Sequence, residues 1–219
     1  MKRPNPTKGL LIYAFHSASG NLAVAFLLSI ALAAASLITA NTIVSSIFES
    51  VAILGPAHLI LMSMSGKAGY RWERFQITMP VRRIDLVKAL YLQVLLSVVV
   101  ALPLVIAVAA LSSALYGNLS GFNVLARFGN IARVLAMPLV TAGLLFPLAC
   151  TKIGEERQEA LFVGCTLVST VFPQLLVWMV VAILGLSADI VPLLILMSVA
   201  LIFAVSYTVT KQIYAKHDF

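Results

Sequence analysis

Residues 67–88 hold six basic side chains (Lys67, Arg71, Arg74, Arg82, Arg83 and Lys88) and two acids, Glu73 and Asp85, in a chain that is only 11% charged overall. Cations interleaved with Tyr70, Trp72 and Phe75 suit two kinds of contact. One is a layer of anionic lipid headgroups; the other is a protein surface that receives aromatic and arginine anchors. The spacing predicts a short helix. Trp72, Phe75 and Met79 recur at i, i+3 and i+7 as one stripe, and Arg71, Arg74 and Thr78 form the adjoining one. Met79 precedes a proline and so avoids the helical region. Pro80 suits the first position of a new helix, which would run on through Leu86, Ala89, Leu90 and Gln93. Spacing leaves lipid anchoring and protein docking both open.

Other reactive types are sparse. Ser65-Gly66-Lys67 lacks the upstream glycine and the following hydroxyl of a phosphate cradle, so an ATP-driven activity would place the nucleotide on another polypeptide. Glu155-Glu156-Arg157 invites comparison with membrane proteases built on paired glutamates. Here the arginine follows at once, and no histidine pair accompanies it, so a charged turn is the simpler reading. A G-x-S-x-G elbow is absent from the sequence. Cys150 and Cys165 have neither metal nor disulfide-framework spacing and read as small buried apolar groups.

Glu49 and His58 fall within apolar runs, where ionisable groups raise the question of function. Nine residues, about two and a half helical turns, separate them and turn them to opposite faces. Glu49 is expected to reach water at the outer side. His58 is expected to bond the backbone carbonyl that Pro56 leaves without an amide partner. Asn21, Gln93 and Gln174 are expected to make helix-to-helix hydrogen bonds.

The elements that must carry these residues are apolar helices. The chain has 219 residues, 61% of them hydrophobic, whereas soluble domains carry about 25% charged residues. About 20 apolar residues in a helix cross a hydrocarbon core of roughly 30 Å. Six segments qualify, at about 21–41, 45–65, 89–114, 131–151, 160–184 and 190–210, with 67–88 as a cytoplasmic segment between the second and third. Open strands would leave backbone groups unpaired in lipid, so the expected fold class is an all-α membrane protein of one domain. The basic N-terminal lead is longer, and the apolar run after it larger, than a cleavable leader uses, so that run reads as a retained span. The prolines at 56, 103, 138, 147, 173 and 192 fall in or beside spans and are expected to kink them.

Charge asymmetry orients this arrangement. Thirteen of the 15 Lys and Arg residues fall on one side of the six-span layout; Arg127 and Arg133 fall on the other. The positive-inside rule then makes both termini and residues 67–88 cytoplasmic. It also accounts for the net charge of +7 without a nucleic-acid partner. Connections on the outer side are short, the longest near 115–130.

Three stretches resemble one family. "WERFQITMPVRRIDLVKALYL" (72–92) is similar to the segment after the second span in small permeases of the ABC-2-type transporter family, with an aromatic/acidic pair, a Pro-Val-x-Arg turn and Lys-x-x-Tyr leading into the third span. "SYTVTKQIYAKHDF" (206–219) looks like that family's closing segment, and "KGLLIYAFHSASGN" (8–21) like its amphipathic opening helix. Together they cover about a quarter of the chain. The resemblance implies a coupling helix between spans two and three that contacts a cytoplasmic ABC ATPase subunit. Trp72, Glu73, Arg74 and Phe75 would make that contact. Pro80 would act as the hinge, with Arg82 and Arg83 in the turn that transmits motion to span three. Residues 152–159, with Glu155 and Glu156, would form a second, smaller contact. ATP would bind the partner subunit, with no cofactor in this chain. A second permease copy, identical or sister, would complete the transporter in a cell membrane, and the implied cargo is amphipathic or hydrophobic, a peptide, an antimicrobial compound or a lipid moved outward. Two other classes stay in view: a non-transporting immunity or sensor subunit, and a proton-driven transporter using Glu49.

Overall fold

The computed structural model describes residues 6–17, 19–63, 82–116, 124–149, 155–183, 185 and 190–216. Among them are seven α-helices and no strand: α1 (Pro6–Ser17), α2 (Ser19–Thr39), α3 (Thr42–Ser63), α4 (Arg83–Tyr116), α5 (Val124–Ala149), α6 (Glu155–Trp178) and α7 (Val191–Lys216). A π-helical turn, Met179–Ile183, continues α6. Six of these, α2 to α7, are long and apolar enough to cross a membrane, one for each expected span.

The helix ends follow from local chemistry. Ala40 adopts a left-handed backbone with φ 49°, which stops α2. Asn41 then caps α3: its side-chain oxygen accepts from the amides of Ile43 (2.8 Å) and Val44 (3.4 Å), satisfying two donors that a helix start leaves orphaned. Two residues therefore join α2 to α3. α4 begins at Arg83, later than the expected start at Pro80. Arg82 stands outside the helix while its carbonyl accepts from the amides of Asp85 (2.8 Å) and Leu86 (3.3 Å). Asp85 then lies in the first turn, where a carboxylate complements the helix dipole. Five prolines are helix-internal: Pro56, Pro103, Pro138, Pro147 and Pro173. Pro192 differs from expectation. It is the second residue of α7, where its missing amide would have been an orphan anyway.

α5 is the hub. It packs against α3, α4, α6 and α7, and 61% of its span is buried against 17% for α6. Three apolar clusters run along it. One joins Phe48 and Ile53 of α3 to Val105 and Val108 of α4 and to Ile131 and Val134 of α5. A second joins Leu61, Val87, Tyr91, Leu145, Phe146 and Cys165. A third joins Ala136 and Val140 to Val180, Ile195 and Val199. This pattern makes neighbours in sequence antiparallel, and it gathers the end of α3, the start of α4, the end of α5 and the start of α6 at one end of the bundle. α1 packs there too, with Leu10 against Leu86 and Ala89 of α4.

α5 and α7 approach closely where Gly143 faces Ile202, since a Cβ built at Gly143 would lie 3.2 Å from the Ile202 Cγ2 atom. Small residues bring membrane helices together in this way. The outward faces of α2, α6 and α7 carry Leu27, Ile38, Leu167, Leu175, Trp178, Met197 and Leu201, all exposed. Side chains of this kind have hydrocarbon as their solvent.

Candidate functional site

Two polar clusters sit within the apolar bundle, one toward each end. The first is ionic. Arg127, three residues into α5, is 4% exposed, and Glu49 of α3 is 1% exposed. One guanidinium nitrogen, Nη1, donates to Glu49 Oε1 at 2.6 Å; the other, Nη2, donates to Ser112 Oγ of α4 at 3.1 Å. The amide of Asn130, one turn beyond Arg127 on the same face of α5, donates to Glu49 Oε2. Ser112 in turn donates to the Ala109 carbonyl at 3.0 Å. Both oxygens of one carboxylate are thus held by donors from α5, and α3, α4 and α5 are tied at a single point. A buried charge is tolerated when it is paired and hydrogen-bonded, and here each carboxylate oxygen has a donor.

This cluster corrects two expectations. Glu49 does not reach outer water, because it lies about 10 Å along α3 from the helix start and is enclosed. Arg127 belongs to the beginning of a spanning helix rather than to an exposed connection. A charge count along the sequence could not link residues 78 apart. The available signal was Arg127 and Asn130 at i, i+3 opening an apolar run, with one acid inside another.

The second cluster is neutral. The Tyr91 hydroxyl of α4 lies 2.6 Å from Ser206 Oγ and 2.8 Å from Thr210 Oγ1 of α7. Ser206 and Thr210 are one turn apart, so both hydroxyls face the same partner. The Tyr91 ring is met edge-on by Phe146, Phe203 and Tyr207 at centroid distances of 4.8, 5.0 and 5.3 Å, the geometry that aromatic quadrupoles favour. Tyr91 is the tyrosine of the Lys-x-x-Tyr stretch. Eight residues after Arg83, it fixes the start of α4 to the end of α7. Replacing Tyr91 by phenylalanine keeps the ring and removes the hydroxyl. The expected loss is about 1 kcal/mol, the scale of hydrogen bonds between helices in a membrane, read as a lower unfolding midpoint of the solubilised protein. An unchanged midpoint would mean the hydroxyl contributes nothing net.

Smaller polar links complete the bundle. Thr141 of α5 donates to Ser169 of α6 at 2.7 Å, Ser36 of α2 to Ser45 of α3 at 3.3 Å, and the Tyr116 hydroxyl to the Leu37 carbonyl at 2.7 Å. His58 lies apart from Glu49, as expected. Its Nδ1 is 3.2 Å from the Leu54 carbonyl, and its ring meets Phe162 edge-on at 6.1 Å. The carbonyl that Pro56 deprives of a partner is that of Ala52, so the bond His58 makes is the ordinary one to the preceding turn. Asn21 and Gln174 are exposed, against the expectation of helix-to-helix bonds. Gln93 is 1% exposed, and its Oε1 has no partner among the described residues.

Of the residues expected to contact an ATPase, Trp72, Glu73, Arg74 and Phe75, with the hinge Pro80, lie outside the described residues. Arg82 is exposed just before α4, Arg83 opens α4, and Glu155 and Glu156 open α6. Those two helix starts share one end of the bundle. Among the described residues no His, Cys, Asp or Glu cluster could hold a metal ion.

Six apolar helices, one of them a central hub, tied by buried polar clusters and coated with apolar side chains, define a multi-pass α-helical membrane protein. The family comparison is more specific. Residues 15–215 match the family described as ABC-2 family transporter protein, and the chain belongs to that family. Membership makes it a membrane transport component and implies, in general, a partnering ATPase subunit. No curated protein and no solved structure matches the chain.

Proposed function

We propose that the chain is the membrane-spanning permease subunit of an ABC exporter, carrying an amphipathic or hydrophobic cargo outward with energy from ATP hydrolysis on a separate cytoplasmic subunit. The family match over residues 15–215 carries this reading. Both termini and residues 67–88 face the cytoplasm, as the basic residues require. Two permease copies, identical or sister, pair with two ATPases. Trp72, Glu73, Arg74 and Phe75 dock the ATPase, Glu155 and Glu156 supply the smaller contact, and Pro80 with Arg82 and Arg83 passes movement into α4.

The architecture supports a route for that movement. α4 runs unbroken from Arg83 to Tyr91, and the Tyr91 hydroxyl grips Ser206 and Thr210. A displacement at the start of α4 therefore bears on α7 within about two turns. ATPase closure shifts the population between two arrangements of the bundle, to the extent that the two bind the closed ATPase differently.

Co-purification tests the reading. The protein, tagged at its C-terminus, is solubilised gently from native membranes and its partners are identified. A stoichiometric subunit with a Walker motif, whose ATPase rate rises with cargo, is the expected result. A chain that emerges alone, with stability indifferent to ATP, would instead indicate a non-transporting membrane subunit. Transport lost in Glu49→Gln yet independent of ATP would indicate a proton-driven carrier.

A further inference from the structure

A groove of about 710 Å³ runs between the second half of α5 and the first half of α6. Leu144, Leu148, Leu161, Cys165 and Val168 line it, and Arg157 closes one end. We propose that this groove binds one anionic phospholipid, its phosphate on Arg157 and one acyl chain along the apolar channel.

Four observations carry the assignment. First, the volume lies in the range of small-molecule sites, roughly 300–1,000 Å³. Second, the groove is polarised: among the described lining residues one cation, Arg157, stands at one end, exposed, and the channel beyond it is apolar. Arg157 precedes the apolar span of α6, Ala160–Ile183, by three residues, which sets it at headgroup depth. Third, the length fits. From Arg157 to Val168 the helix rises about 16 Å, half of a hydrocarbon core of roughly 30 Å, which is one leaflet's acyl chain. Fourth, Gly164 faces open space in the groove. A Cβ built there would meet nothing within 4 Å.

Arg157, Ala160, Leu161, Gly164 and Val168 follow one stripe of the helix. The planar guanidinium suits a phosphate bidentately. Under the proposed orientation this end of the bundle lies in the cytoplasmic leaflet, where anionic lipids concentrate. The binding assignment itself does not depend on that orientation.

The test uses the full chain in a neutral detergent, with dioleoylphosphatidylglycerol as the probe. Native mass spectrometry is expected to show one retained phosphatidylglycerol, and the lipid to raise the unfolding temperature. Phosphatidylcholine and inorganic phosphate are expected to do neither. Arg157→Gln should weaken retention about fivefold, the scale of one arginine at an anionic surface. Gly164→Leu should fill the channel and abolish retention without lowering the lipid-free unfolding temperature. Leu167→Ala, on α6 outside the groove lining, should bind as the parent does. Equal retention of phosphatidylcholine would overturn the assignment, as would phosphatidylglycerol binding untouched by Arg157→Gln. So would a loss of self-association, rather than of lipid, in Gly164→Leu, since the groove would then be a contact between copies. If Gly164→Leu fails to fold, Arg157→Gln decides alone.

Discussion

Replacing Arg127 by methionine is expected to cost about 3–5 kcal/mol of stability, the scale of stranding one charge of a buried pair. The whole folding stability of a domain is about 5–15 kcal/mol, so this single change takes a large share. The reason lies in what remains. Glu49 is 1% exposed and would be left with only the Asn130 amide against its carboxyl group. Glu49→Gln alone is expected to be milder. The arginine left behind is three residues into α5, and its long side chain can reach toward the interface. The double variant Arg127→Met, Glu49→Gln should recover at least half of the loss, because a neutral amide can still accept from Asn130. Unfolding midpoints of the four proteins in one detergent close the cycle. If the double variant is as unstable as the two single effects added together, the pair is not the coupled element that its 2.6 Å contact indicates.

Trp72→Ala combined with Arg74→Glu is expected to remove the ATPase from the complex. Tryptophan and arginine are the anchors whose truncation costs about 2 kcal/mol or more each, so two together weaken binding about a thousandfold. Charge reversal adds repulsion to the loss of contact. The six spans lie elsewhere, so membrane insertion and the unfolding temperature should not change. ATPase recovery in pull-downs, measured against the tagged parent, is the readout. Undiminished recovery would return residues 67–88 to the role of a lipid anchor and would leave the family membership untouched.

The six spans were legible because the requirement that creates them is crude. About 20 apolar residues must follow one another, and no folding detail changes that count. Ends were less legible. The third span was expected from residue 89, yet its apolar stretch begins at Ile84, since Arg83, Asp85 and Lys88 lower the apolar average of turns that are nevertheless helical. The pairings inside the buried clusters were not legible. Tyr91 and Thr210 are 119 residues apart, and no local period joins them. Each polar residue looked like an isolated exception on its own helix. Only the docking of helices made them partners, and for the same reason Glu49 was expected in water. The resemblance in residues 72–92 and at the two ends, by contrast, pointed to the family that the match over residues 15–215 shows.

The distance along the chain between Glu49 and Arg127 has a consequence for biogenesis. The helices α2 and α3 are joined by two residues, so they enter the bilayer as a hairpin, carrying the carboxyl group with them. Its arginine is synthesised 78 residues later. At about 5–20 residues per second, the ribosome needs several seconds to deliver it. During that interval the carboxyl group lies in the hairpin without the arginine that pairs with it in the folded bundle. The ion pair is thus a late contact: it can form only after α5 has begun to emerge, and it ties the first half of the protein to the second.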